Sequence, residues 1–143
     1  LSTGPLILHA TTVSVAGRGL LILGPSGAGK SALALELISR GAVLVADDRT
    51  QVVAEGGTLT ASVPTAIAGL IEARGVGLLR TPEAGPTPVH LAVDLGQEEQ
   101  QRLPEPHSVQ LAGIPLPCLY RPKGPHFAAA ILLYLRDHLT SAP

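Results

Sequence analysis

Tryptophan and methionine are absent from this 143-residue chain, and its aromatic content is one Phe and two Tyr. Phe127, Tyr120 and Tyr134 cannot build stacking platforms for single-stranded bases or an aromatic sugar cleft, so the core must come from Leu, Val, Ile and Ala. The single cysteine, Cys118, excludes an intramolecular disulfide and a multi-cysteine zinc site, and suits a reducing compartment. Charge is sparse and balanced: 10 Lys and Arg against 11 Asp and Glu leave a formal net charge of −1. No basic stretch offers the footprint that nucleic acid or an anionic membrane requires. No apolar run approaches the roughly 18 residues of a membrane span, and Leu1 to Pro5 lack the basic head of a signal peptide. These absences disfavour nucleic acid and membrane as partners and point to a cytoplasmic address. With 45% hydrophobic and 15% charged residues, the chain has the composition of a folded protein, and its length fits one domain over residues 1–143.

The apolar pattern predicts an α/β fold. Leu6 to Ala10 and Thr12 to Val15 read as a strand leading to a turn at Ala16-Gly17-Arg18-Gly19, with Leu20 to Leu23 as its hairpin partner. Ser31 to Arg40 lacks Gly and Pro, sets Leu33, Leu37 and Ile38 on one side, and stops at Gly41, which predicts a helix with a left-handed cap. Ala42 to Ala46 reads as a buried strand that ends on Asp47-Asp48. Gln51 to Ala54 and Thr58 to Val63 flank a glycine turn as a second hairpin. Pro82 to Pro88 reads as a loop and His90 to Leu95 as a short strand. Leu103 to Pro106 and Pro115 to Pro125 must be extended or turning, and Phe127 to Leu139 forms a closing helix.

The strongest chemical signal is Gly24-Pro25-Ser26-Gly27-Ala28-Gly29-Lys30-Ser31, which satisfies the phosphate-loop pattern G-x-x-x-x-G-K-[ST] in full. A strand enters it and a helix leaves it, so backbone N–H groups and the helix N-terminus can converge on a polyphosphate. In this setting Lys30 places a cation on the β- and γ-phosphates, and the Ser31 hydroxyl addresses Mg²⁺. The plainer reading is a glycine-rich turn that caps a helix. Asp47 and Asp48 emerge from the strand beside this loop, and adjacent strand residues point opposite ways. That predicts different jobs, one accepting a proton and one supporting metal or a basic partner, as against a solvated acidic turn.

These residues, in this order, resemble the C-terminal catalytic domain of the HPr kinase/phosphorylase family. The resemblance rests on His9, the Gly24 to Ser31 loop, Leu44-Val45-Ala46-Asp47-Asp48-Arg49 and Ile71-Glu72-Ala73-Arg74-Gly75-Val76-Gly77-Leu78-Leu79. Weaker echoes follow at Gln101-Arg102-Leu103 and Arg121-Pro122-Lys123-Gly124. It implies a phosphate-loop α/β domain related to phosphoenolpyruvate carboxykinase, using ATP and Mg²⁺ to phosphorylate a serine of HPr, the phosphocarrier of the sugar phosphotransferase system. It also implies removal of that phosphate by phosphorolysis, and hexameric assembly.

Carried over by position, the resemblance makes Asp47 the general base, Lys30 a stabiliser of the transferring phosphoryl group, and Ser31 and Glu72 the Mg²⁺-site residues. Asp48 then supports the metal or a neighbouring base, His9 orients or electrostatically tunes Asp47, and Arg74 and Arg102 meet phosphate oxygens. The chain resembles the compact form that lacks the N-terminal domain of longer relatives. It departs from the family pattern at Arg121-Pro122-Lys123-Gly124-Pro125-His126, where a basic Gly-Arg-Asn ending is expected. Two other functions fit the same motifs: a related kinase of another protein, peptide or small alcohol, and a non-catalytic nucleotide sensor. The acidic residues argue against the sensor. Cys118 and the other four histidines carry no expected role.

Overall fold

The computed structural model describes residues 4–138. Its first strands are β1 (Leu6–Leu8), β2 (Thr11–Val15) and β3 (Arg18–Leu23), followed by helix α1 (Lys30–Ser39) and β4 (Val43–Ala46). Hairpin β5 (Thr50–Glu55) and β6 (Thr58–Ser62) comes next, then a 3₁₀ turn (Thr65–Ile67) and hairpin β7 (Leu70–Ala73) and β8 (Gly77–Arg80). The chain ends with β9 (Thr87–Glu98), hairpin β10 (His107–Leu111) and β11 (Ile114–Arg121), helix α2 (Phe127–Leu133) and a π-helical turn (Tyr134–His138). Nine strands form one mixed sheet in the order β1-β5-β6-β9-β3-β2-β4, with β11 also on β9 and β10 beyond it; β7 and β8 pair separately. Among the described residues no helix is long and apolar enough to cross a membrane.

The segment read as a single first strand is two. Ala10 N–H donates to Leu8 O at 2.9 Å, a tight turn that sends β1 to β5 while β2 pairs with β3 and β4. His9 sits at this switch. The β2–β3 hairpin closes through Ala16-Gly17 with φ 53° and 82°, the left-handed pair that matches strand twist. Helix α1 ends as predicted: Gly41 N–H donates to Ile38 O and Ala42 N–H to Leu37 O, the paired bonds of a glycine-closed helix end.

Strand β9 is twelve residues long and central, parallel to β3 and β11, where the sequence predicts only His90 to Leu95. Pro88 closes the stretch read as a loop, yet proline is tolerated near a strand's first residue. The proline-bearing β11 is likewise a strand, because Pro115 and Pro117 lie where only β10 pairs with it and β9 joins from Cys118 onward. The closing helix shifts to π geometry at Tyr134, and Leu139 lies outside the described residues.

Sheet alternation divides the core. Leu20 and Ile22 face α1 and α2, packing with Leu37, Ile131 and Leu135, while Leu21 faces Val45, Val52 and Leu59 on the side closed by the β5–β6 hairpin. Both faces of β3 are therefore dry, and its end is held rigidly where the loop begins. Arg18 ties the helical layer down, its Nη1 donating to Leu135 O at 2.6 Å. Gly19 allows the β3–β9 contact: a Cβ there would lie 2.9 Å from Pro88 O and 3.2 Å from Val89 Cα, both backbone. Gly19→Ala is expected to destabilise the fold by about 1–3 kcal/mol, measured by urea denaturation with an unchanged slope.

Candidate active site

Between β3 and α1 the Gly24–Ser31 segment forms a compact loop in which Ala28 N–H donates to Pro25 O at 3.1 Å. Gly29, at φ 98°, is the residue before α1 and supplies no side-chain cap, so the first N–H groups of the helix have no capping side chain and face the loop. The Lys30 side chain, 9% exposed, folds back to donate from Nζ to Gly24 O at 2.7 Å and Pro25 O at 3.1 Å. Those bonds hold a buried cation on the loop, next to a helix end whose N–H groups favour negative charge.

Asp47, at the end of β4, is 7% exposed and receives three hydrogen bonds. Thr11 Oγ1 donates to Oδ1 at 3.0 Å, Ser31 Oγ donates to Oδ1 at 2.6 Å, and Glu72 N–H donates to Oδ2 at 3.0 Å. The loop hydroxyl is thus locked to the strand carboxylate. Although α1 connects β3 to β4, the two strands are not neighbours; β2 lies between them and contributes Thr11.

Asp48 behaves differently. Arg49 N–H donates to Asp47 O at 2.7 Å across a three-residue turn, and Asp48 sits at its centre with φ 68°, a rare and strained conformation for a non-glycine residue. Its N–H donates to Thr11 Oγ1 at 3.2 Å, while its side chain is 63% exposed with Oδ1 3.7 Å from His9 Nδ1. The imidazole thus stands beside Asp48, where the resemblance placed it near Asp47. The turn rotates the second carboxylate away from the first and towards the strand switch that carries His9.

One cleft of about 510 Å³ is lined by Lys30, Ser31, Asp48, Glu72 and Arg74. The β7–β8 hairpin delivers Glu72 and Arg74 there. Arg102 is not brought to this cleft; it is exposed and lines a separate groove of about 640 Å³ with Leu103, Tyr120 and Tyr134, because the Gln101–Pro106 segment follows the far end of β9. In that groove His107 Nε2 lies 2.7 Å from Glu99 Oε1, and this contact holds the Glu99 carboxyl below its ordinary range. Cys118 is buried, and burial together with the charge of Asp94 raises its thiol to about 11, consistent with no chemical role.

Thr11 escapes the sequence reading, and Arg121, read there only as part of a weak family echo, has a contact that reading does not foresee. A threonine followed by Thr12 at the start of a short strand carries no signal, yet Thr11 is fully buried and bridges both acidic residues. Thr11→Val is expected to cost about 1–3 kcal/mol in chemical denaturation, by leaving the Asp48 N–H without its acceptor, and Thr11→Ser should recover most of it. The Arg121 guanidinium donates to Ala28 O, which pins the segment after β11 onto the phosphate-loop motif.

A family model described as the HPr Serine kinase C-terminal domain matches residues 4–84. The chain belongs to the HPr serine kinase C-terminal domain family. Among curated relatives, the HPr kinase/phosphorylase of Caldicellulosiruptor bescii is 52% identical over 73 residues, half of this chain and 23% of that protein. That of Clostridium botulinum (strain Eklund 17B / Type B) is 47% identical over 72 residues, half of this chain and 24% of that protein. The chain thus matches about a quarter of the length of these relatives. The solved HPr(Ser) kinase/phosphatase of Coxiella burnetii superposes with a TM-score of 0.79 at 26% identity, covering 94% of this chain and 91% of that one. The family match spans His9, the glycine loop, both aspartates and Glu72, so it covers the cleft; Arg102 and Arg121 lie beyond it.

Proposed function

We propose that this domain transfers the γ-phosphoryl group of ATP to a serine hydroxyl of HPr and also catalyses the reverse phosphorolysis. The observation that carries this is the grouping of Lys30, Ser31 and Asp48 in one cleft, with Asp48 paired to His9 and Asp47 tied to Ser31. It also supports placing the domain among phosphate-loop folds related to phosphoenolpyruvate carboxykinase.

The resemblance gives the base role to Asp47 and the metal-side role to Asp48; the hydrogen bonds support the exchange of these roles. Asp47 is turned inward onto three donors, whereas Asp48 is solvent-facing and backed by an imidazole. Serine Oγ attacks the γ-phosphorus, the bond to the ADP oxygen breaks, and the serine proton passes to the Asp48 carboxylate, with His9 orienting that carboxylate. In reverse, a phosphate oxygen attacks the phosphoserine phosphorus, pyrophosphate forms, and Asp48 returns the proton to the serine oxygen. Lys30 and the α1 N-terminus stabilise charge on the transferring group, and Arg74 reaches the same cleft.

The donor set suits Mg²⁺: Ser31 and Glu72 line the cleft with hard oxygen donors, Asp47 is bonded to Ser31, and the described residues form no all-protein metal cage. Mg²⁺ is held by few protein ligands together with substrate phosphates, and when bound it neutralises phosphate charge. Hexameric assembly and a cytoplasmic address belong to the same reading, the first testable by sedimentation. The decisive experiment is transfer from labelled ATP to purified HPr, with a Ser→Ala acceptor as control, then addition of phosphate. Labelled acceptor, lost on phosphate addition with pyrophosphate released, supports both directions; tight Mg·ATP binding without labelled HPr points to another acceptor.

A further inference from the structure

We propose that a second cavity, between α1 and the segment after β11, takes the base and ribose of the nucleotide whose phosphates lie on the Gly24–Ser31 loop. The proposal rests on the nucleotide reading above and names the subsite that distinguishes a nucleoside triphosphate from a bare polyphosphate. The cavity has a volume of about 220 Å³ and shares Gly29 and Ala32 with the phosphate cleft, so the two adjoin at the first turn of α1. A polyphosphate drawn to that helix end must send its nucleoside to one side. On one side stand Asp48, Glu72 and Arg74, the groups the acceptor needs; on the other is this cavity.

Its chemistry changes along its length in the same order as a nucleotide does. At the loop end Arg121, bonded to Ala28 O, adds positive charge where phosphates lie. The walls are Leu33 of α1 and Phe127, the only phenylalanine in the chain, with Pro122 and Pro125 contributing apolar, conformationally restricted surface. Glu36, about 9 Å along α1 from Lys30, supplies a carboxylate at the far end. It repels further phosphate and accepts hydrogen bonds from the hydroxyls or ring N–H groups of a neutral nucleoside. Its ion pair with Arg40 uses Oε2 at 3.4 Å, on the exposed side of the helix.

Calorimetric titration of the whole chain with Mg·ATP and with Mg·tripolyphosphate tests this. The unmodified protein is expected to bind ATP more tightly than tripolyphosphate. Phe127→Leu and Glu36→Ala should each weaken ATP about 3- to 10-fold and leave tripolyphosphate unchanged, the range expected for losing one aromatic or polar contact. Equal affinity for the two ligands in the unmodified protein, or variants that weaken both in parallel or neither, would overturn the assignment. Failure of the unmodified protein to bind either ligand would instead remove the nucleotide reading itself, and a thermal melt of each variant separates lost binding from lost fold.

Discussion

Asp48→Asn is expected to lower phosphoryl transfer to HPr by about 10²–10⁴-fold while leaving Mg·ATP affinity close to that of the parent, the usual consequence of removing a general base. Asparagine is the informative replacement because it tolerates positive φ, so the strained turn at φ 68° and the N–H bond to Thr11 can survive. The amide keeps the shape and loses the proton acceptor. Asp47→Asn makes the contrast. Its Oδ1 accepts from two hydroxyls and its Oδ2 from a backbone N–H, so an inserted amide nitrogen faces a donor on either side. That variant should lose stability and Mg²⁺-dependent nucleotide affinity together. Single-turnover transfer and equilibrium binding on both variants check the pair; retained transfer in Asp48→Asn with lost transfer but intact binding in Asp47→Asn would return the base role to Asp47.

Lys30→Ala should reduce transfer by at least about 10²–10³-fold, the loss that follows removal of one preorganised donor from a transition state. The magnitude follows from burial. At 9% exposure the ammonium is already desolvated and held by Gly24 O and Pro25 O, so its charge acts in a medium of lower dielectric than water. Loss of Lys30 also leaves Gly24 O without this donor and Pro25 O with the Ala28 N–H alone, and weaker ATP binding should accompany the loss of rate. Rapid-quench transfer together with nucleotide titration measures both, and full activity would remove the loop from the mechanism.

Local patterns were legible wherever neighbours in sequence decide the outcome. The glycine loop and α1 with its Gly41 end arose where predicted, as did the β5–β6 hairpin, because each is closed by hydrogen bonds within a few residues. The length of β9 was not legible: Pro82 to Pro88 read locally as a loop, while pairing with β3, β6 and β11 carries the strand from Thr87 to Glu98. The β1–β2 break is similar, since two apolar runs in succession do not reveal that they pair with different partners.

By itself the sequence determined the loop chemistry, the presence of two adjacent carboxylates, and the family to which they belong, all of which depend on residue type at short spacing. Only the tertiary structure decided which carboxylate is turned inward and which faces solvent. That choice depends on Thr11 and Glu72 N–H, 36 and 25 residues from Asp47, and on a single backbone rotation at Asp48 that turns its side chain to His9. It also sent Arg102 to a different groove and laid Arg121 on the loop, although the ends of β9 and β11 stay paired through Glu98 and Arg121. Side-chain direction at strand ends is set by long-range pairing, and no local pattern encodes it.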